Sequence, residues 1–233
     1  MNYKVIVTLG MEELKDYKNP SLQDADILEI RLDLLSQSFI KEELSPILKS
    51  LNKSILFTYR NPKDSSENTN TKIEFKDIEK VLNEFNSESN YIDIELDQEE
   101  SIFDNISNSV FTVIYSYHNF FGILDSSQIR NWITKKRTQR CIYKFAVMPK
   151  SYIDLKIFLE GIKENAEKNS IIGIAMGDIG IYSRLFGDRY GSIATYCCIG
   201  KPRAPGQIEI RNFYEKRDFY KDKPVPSPDT FRF

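Results

Sequence analysis

The 233-residue chain contains a single histidine, so any imidazole chemistry falls on His118 and a His-rich metal site is excluded. Charged and polar residues stand at the ends of several short apolar runs. ILEIRLD presents Glu29, Arg31 and Asp33, SILFTYR ends at Arg60, and VIYSYHNF carries Ser116 and His118. CIYKFAVMP holds Lys144, MGDIGIYSR delivers Arg184, and KPRAPGQ delivers Arg203 and Gln207. Residues two apart share one face of a strand, and a charge inside an apolar strand is unfavourable unless it is paired or used. Each residue also has a plainer reading. Glu29 and Arg31 could form a structural ion pair, His118 could be a hydrogen-bonded core residue, and Lys144 could face outward and snorkel between helices. The APG segment could be an ordinary turn.

What would bring these residues together is the order of elements. Eight runs read as strands: Lys4–Leu9, Asp26–Asp33, Ser54–Arg60, Tyr91–Leu96, Val110–Tyr117, Arg140–Val147, Ile171–Met176 and Ser192–Cys197. Between them lie stretches with helical spacing: Ile40–Leu51, Ile73–Phe85, Ser126–Lys136 and Ser151–Ala166, the last opening with a Ser in N-cap position. Repeated β-α order implies parallel strands, and runs such as KVIVTL and IIGIAM, apolar on both faces, suit a sheet covered by helices outside and packed within. An α/β (β/α)8 TIM barrel over residues 1–220 fits, with 221–233 as an extended Pro-rich tail. An open doubly wound sheet is the alternative, weakened by the lack of a GxGxxG signature in the first turn. In a barrel, catalytic side chains sit at the C-terminal strand ends, where the polar residues above fall.

Composition narrows the function classes. With 32 Lys and Arg against 34 Asp and Glu, the net charge of −2 gives no excess to hold nucleic acid or an anionic membrane. No apolar run approaches the length of a membrane span, and the N-terminus is unlike a secretory signal. Three cysteines, Cys141, Cys197 and Cys198, have no ligand-like spacing and fit a reducing cytosol. A cytoplasmic location is expected.

Together the motifs resemble the type I 3-dehydroquinase family, the Schiff-base 3-dehydroquinate dehydratases of the shikimate pathway. EIRLDLL is similar to the family's E-x-R-x-D strand, FTYR to its third strand end, YSYHNF to its S-x-H-[ND]-F motif and YKFAVMP to its K-x-A-x-x-P segment. SRLFGDRYGSIATY followed by APGQI resembles the anion site and lid of the last two units. The resemblance implies that Lys144 forms an imine with the substrate ketone, that His118 is the general acid/base, and that Arg184 and Gln207 hold the substrate carboxylate. It implies that Glu29, Arg31 and Arg60 read the ring hydroxyls and that the enzyme needs no metal or cofactor. The family is often dimeric, so a homodimer is an expected partner.

The chain departs from the family at four places. After Arg60 the family's E-G-G is replaced by RNPKDSSEN, where Asp64 stands at the spacing of the His118 partner and Glu67 is a substitute. Arg203 replaces the Ser before APGQ, and could add a second cation at the carboxylate or point to solvent. There is no room before the first strand for the family's barrel-closing N-terminal hairpin. NFYEKRDFY and the tail extend past the usual end. Two other functions compete: a class I aldolase using the same lysine, which would need phosphate recognition, and a non-catalytic binder of a quinate-like acid.

Overall fold

The structure, a computed structural model, describes residues 3–60, 73–106, 109–136, 138 and 140–222. Nine strands run β1 (Lys4–Leu9), β2 (Ile27–Arg31), β3 (Ser54–Thr58), β4 (Tyr91–Glu95), β5 (Thr112–Asn119), β6 (Cys141–Val147), β7 (Ile171–Ala175), β8 (Ala194–Cys198) and β9 (Ile208–Glu209). The helices are α1 (Met11–Lys15), α2 (Gln37–Phe39), α3 (Ser45–Leu51), α4 (Phe75–Glu84), α5 (Ser126–Lys135), α6 (Tyr152–Ala166), α7 (Ile181–Phe186) and α8 (Ile210–Tyr220). Every strand pairing is parallel, and from β1 to β7 each strand lies beside its predecessor, with β8 on the other side of β1. The ring closes where Ile171 bridges Ser192, Ile193 N–H donating to the Ile171 carbonyl at 2.9 Å and Gly173 N–H to Ser192 Oγ at 3.0 Å. An open sheet has two free edges and no such closure. The molecule is a (β/α)8 barrel.

Strand alternation divides the core into two. Val5, Val7 and Leu9 of β1 and Tyr143, Phe145 and Val147 of β6 belong to the layer under the helices. Ile6, Ile27, Leu56, Ile114, Ala146, Ile172, Ile174, Ala194 and Tyr196 fill the barrel interior. Most strands are therefore apolar on both faces, while β4 turns Asp93 and Glu95 inward. Lys144 shares the parity of Ala146, so it points inward and does not snorkel between helices. At the N-terminal strand ends, Ile6, Ile27, Ile114, Ile142, Ile172 and Ile193 line an apolar hollow. No element precedes β1 among the described residues.

Helix positions follow local chemistry. Ser151 Oγ accepts the Asp154 N–H at 3.1 Å while Asp154 Oδ2 accepts the Ser151 N–H at 3.1 Å, a capping box that starts α6. Leu155, Phe158, Leu159 and Ile162 then recur at three- and four-residue steps and lie buried against the barrel. Several elements differ from the sequence expectation, three of them near the site or in the repeat pattern. β2 ends at Arg31 because residues 32–34 wind into a 3-10 turn; β5 continues to Asn119, which puts His118 on the strand itself. After β4 the described residues form only a single 3-10 turn, Ile102–Asn105, where the repeating pattern implied a full helix.

Ser151→Ala removes one cap acceptor and leaves the barrel contacts of α6 intact. Unfolding in urea is expected to show a loss of about 1 kcal/mol with an unchanged m-value.

Candidate active site

The C-terminal strand ends enclose a hollow of about 660 Å3 of atom-free space, part of it open to solvent. Glu29, Arg31, Arg60, His118, Lys144, Arg184, Arg203 and Gln207 all line it. Thr8, Phe120, Met176 and Tyr196 complete much of the wall. Parallel register explains the convergence: Ser116 lies beside Lys144 and His118 beside Ala146 on adjacent strands. Asp64 and Glu67 lie outside the described residues.

Lys144 is 5% exposed, and its Nζ stands 3.3 Å from Asp93 Oδ2 and 4.4 Å above the centre of the Tyr196 ring. Asp93 Oδ1 accepts from Arg60 Nη1 at 2.7 Å and from Ser116 Oγ at 2.5 Å. Arg60 Nη1 also contacts Glu95 Oε1, the same oxygen that lies 2.8 Å from His118 Nδ1. That approach does not meet hydrogen-bond geometry, and the pair becomes an ion pair when the imidazole is protonated. The amine and the imidazole are thus linked through Asp93, Arg60 and Glu95.

Asp93 and Glu95 were not singled out from the sequence. Their signal was there: YIDIEL places two carboxylates of one parity at the end of an apolar strand, the same pattern as Glu29 and Arg31 in β2. Burial pushes both carboxyls upward, but the Arg60 guanidinium, with Lys144 beside Asp93 and His118 beside Glu95, holds both below the ordinary carboxylate range. Burial draws His118 below its ordinary value, Glu95 opposing and Arg60 and Lys144 adding to the shift. The imidazole is therefore neutral at neutral pH, the form a general base needs.

The remaining residues divide between prepared and open groups. Glu29 accepts from Thr8 Oγ1 at 2.7 Å and Thr58 Oγ1 at 2.9 Å, while Arg31 forms two bonds to Asp33, at 2.9 and 2.6 Å. The two residues have separate partners and are not the ion pair that spacing alone allows. Arg203 Nη2 meets both oxygens of Glu13, at 2.7 and 2.8 Å, so this guanidinium is engaged at the rim. Gln207 donates to Thr8 Oγ1 at 3.2 Å and to the Cys197 carbonyl at 3.0 Å.

Arg184 is different. It is 1% exposed, donates only to the carbonyls of Tyr196 (3.4 Å) and Pro205 (3.0 Å), and has no carboxylate within ion-pair distance among the described residues. Its Nε has no partner among the described residues, and burial draws its pKa down to about 10. A buried cation without a counter-charge is unfavourable by several kcal/mol on the order-of-magnitude scale, and the hollow it lines is where an anion could relieve it. Among the described residues no cluster of His, Cys, Asp or Glu is placed to hold a metal ion, and no helix is long and apolar enough to cross a membrane.

A closed parallel barrel with a lysine amine, an imidazole and an unmatched guanidinium facing one hollow defines a (β/α)8-barrel enzyme site. The sequence matches the model of the Type I 3-dehydroquinase family over residues 6–221. It is 33% identical over 217 residues to a 3-dehydroquinate dehydratase of Aquifex aeolicus, covering 90% of this chain and 94% of that protein. It is 28% identical over 232 residues to a 3-dehydroquinate dehydratase of Staphylococcus haemolyticus, covering 94% of both. The fold is similar to the crystal structure of the Geobacillus kaustophilus 3-dehydroquinate dehydratase, with a TM-score of 0.75 at 22% identity over 96% of this chain and 93% of that one. The chain belongs to the type I 3-dehydroquinase family, and with it to the hydro-lyases. One expectation is corrected. The family match runs to residue 221 and NFYEKRDFY lies within α8, which packs on the barrel through Ile210 and Phe213, so this stretch is part of the family fold and no extension of it.

The lone histidine makes one measurement unambiguous. The Cε1–H resonance of this one imidazole is expected to titrate with a midpoint below the ordinary 6.5. The unfolded chain then binds a proton that the native state refuses, so His118's contribution lowers stability as pH falls below about 6.5, until the native imidazole itself titrates. A midpoint above 6.5 would reverse that sign.

Proposed function

We propose that the chain removes water from 3-dehydroquinate to give 3-dehydroshikimate, through an imine on Lys144, as a step of the shikimate pathway. The observation that carries this reading is the buried, unmatched Arg184 guanidinium lining the same hollow as Lys144 and His118. It suits a substrate with one carboxylate, bound so that its ketone meets the amine. Glu29, Arg31, Arg60 and Gln207 are suited to orienting the carboxylate and the ring hydroxyls.

The mechanism uses groups already in place. Lys144 gives up one ammonium proton and adds as the free amine to the ketone carbon; that proton, carried by His118, returns to the carbinolamine hydroxyl, which leaves as water and leaves a cationic iminium. Asp93, kept ionised by Arg60, stands against that cation, and the Tyr196 ring face adds to its stabilisation. Neutral His118 takes the C2 proton, and the carbon electron pair moves into the iminium to form an enamine. His118 then returns its proton to the C1 hydroxyl, which leaves as water as the enamine electrons re-form the iminium. Hydrolysis frees the enone and restores the amine. Glu95 supports the transient imidazolium, because a carboxylate beside Nδ1 favours the charged ring. A class I aldolase would need phosphate recognition, whereas the segments after β7 and β8 offer Arg184 and Gln207, which suit a carboxylate.

Borohydride added with 3-dehydroquinate is expected to leave the reduced ligand's mass on Lys144 in wild type and none in Lys144→Ala. An adduct on another lysine would overturn the assignment. His118→Ala is expected to lose about 10^2- to 10^4-fold in turnover, followed by absorbance of the enone, with ligand binding largely kept. A wild-type protein that binds the ligand without producing the enone would be a quinate-like acid binder.

A further inference from the structure

The loop between β8 and β9 is braced in a way the proposed chemistry does not require. Arg203 stands on it at the rim of the hollow, and its guanidinium meets both carboxylate oxygens of Glu13, on α1 just after β1. The two side chains are 9% and 8% exposed, so the pair is shielded far more than a surface ion pair. Glu13 is itself held in place, since its Oε2 accepts the Gly10 N–H at 2.8 Å. Behind the guanidinium, the Arg203 backbone N–H donates to Gln207 Oε1 at 2.7 Å. Gln207 then donates to Thr8 Oγ1, and Thr8 to Glu29. A run of polar contacts leads from Glu13 across the rim to the Gln207 carboxamide and on to Glu29.

The other end of the loop is pinned by backbone. Gly177 N–H donates to the Pro205 carbonyl at 3.1 Å. Gly206 has a φ of +72°, and a Cβ there would stand 2.5 Å from the Gly177 carbonyl oxygen, so the two backbones touch with no room for a side chain. The Glu13 contact anchors the loop's leading half, from which Arg203 reaches Gln207.

We propose that Glu13 and Arg203 are positioning residues that latch this loop across the hollow and set the Gln207 carboxamide for the ligand. The proposal rests on the dehydratase reading for its substrate and on the geometry alone for the latch. It takes Arg203 out of direct competition for the ligand carboxylate, leaving that role to Arg184. The pair governs how well the ligand is held and leaves the bond-breaking steps to Lys144 and His118.

Glu13→Gln is the informative variant, because glutamine still serves as the N3 partner in a helix cap. It is expected to raise KM for 3-dehydroquinate about tenfold with kcat within about twofold, as the loss of one charge-assisted contact implies. Arg203→Met should behave alike, the double variant no worse than either single, and Arg203→Lys should fall between. In the ligand-free protein, the Arg203 amide should exchange with solvent about tenfold faster in Glu13→Gln while amides of β8 keep their rates. Unchanged KM and exchange, or a fall in kcat at constant KM, would overturn the latch. If wild type fails to turn over 3-dehydroquinate, the dehydratase reading falls, and the exchange comparison still decides the latch.

Discussion

The site depends on one guanidinium. Arg60 follows β3 and sits between the carboxylates of Asp93 and Glu95, with the Ser116 hydroxyl 3.2 Å away, and all four side chains are buried. Two carboxylates so close together and so deeply buried would not both stay ionised without a cation between them. With Arg60 in place they do, and each faces one reactive group: Asp93 faces Lys144 and Glu95 faces His118. Two buried cations, Arg60 and Lys144, balance two buried carboxylates, and His118 stays neutral. Buried polar groups are tolerated when each has its partner, and partly satisfied clusters are the unfavourable ones.

The barrel makes this arrangement possible. Strands with two apolar faces supply a helix-facing layer and an interior layer, and only the C-terminal ends of the interior layer turn polar. Isoleucines line most of the opposite end. The buried charges therefore gather at one end, beside hydrocarbon and the Tyr196 and Phe120 rings. Within that end the groups differ in readiness. Glu29, Arg31 and Asp93 have protein partners, whereas Arg184 has carbonyls and no counter-charge. The asymmetry gives the hollow a direction, with an anion expected at Arg184 and a ketone at Lys144.

Most of the positions were legible because strand periodicity is local. Steps of two put Glu29 with Arg31, and Ser116 with His118, on interior faces, and the ends of β2, β5 and β6 came within two residues of where the structure places them. YIDIEL carried the same signal and went unread, for a carboxylate on a strand declares no partner until the neighbouring strand is known.

What the sequence by itself determined was the repeating β-α order, the parity of each polar residue and the supply of one amine, one imidazole and several guanidiniums. What only the tertiary structure decided was the partners: Arg60 with Asp93 and Glu95, Arg31 with Asp33 but Glu29 with two threonines, and Arg203 with a glutamate 190 positions earlier. Periodicity follows from the backbone geometry of a few consecutive residues. Partnership is settled only when closure of the ring brings distant strands side by side and burial leaves each charge a small choice of neighbours.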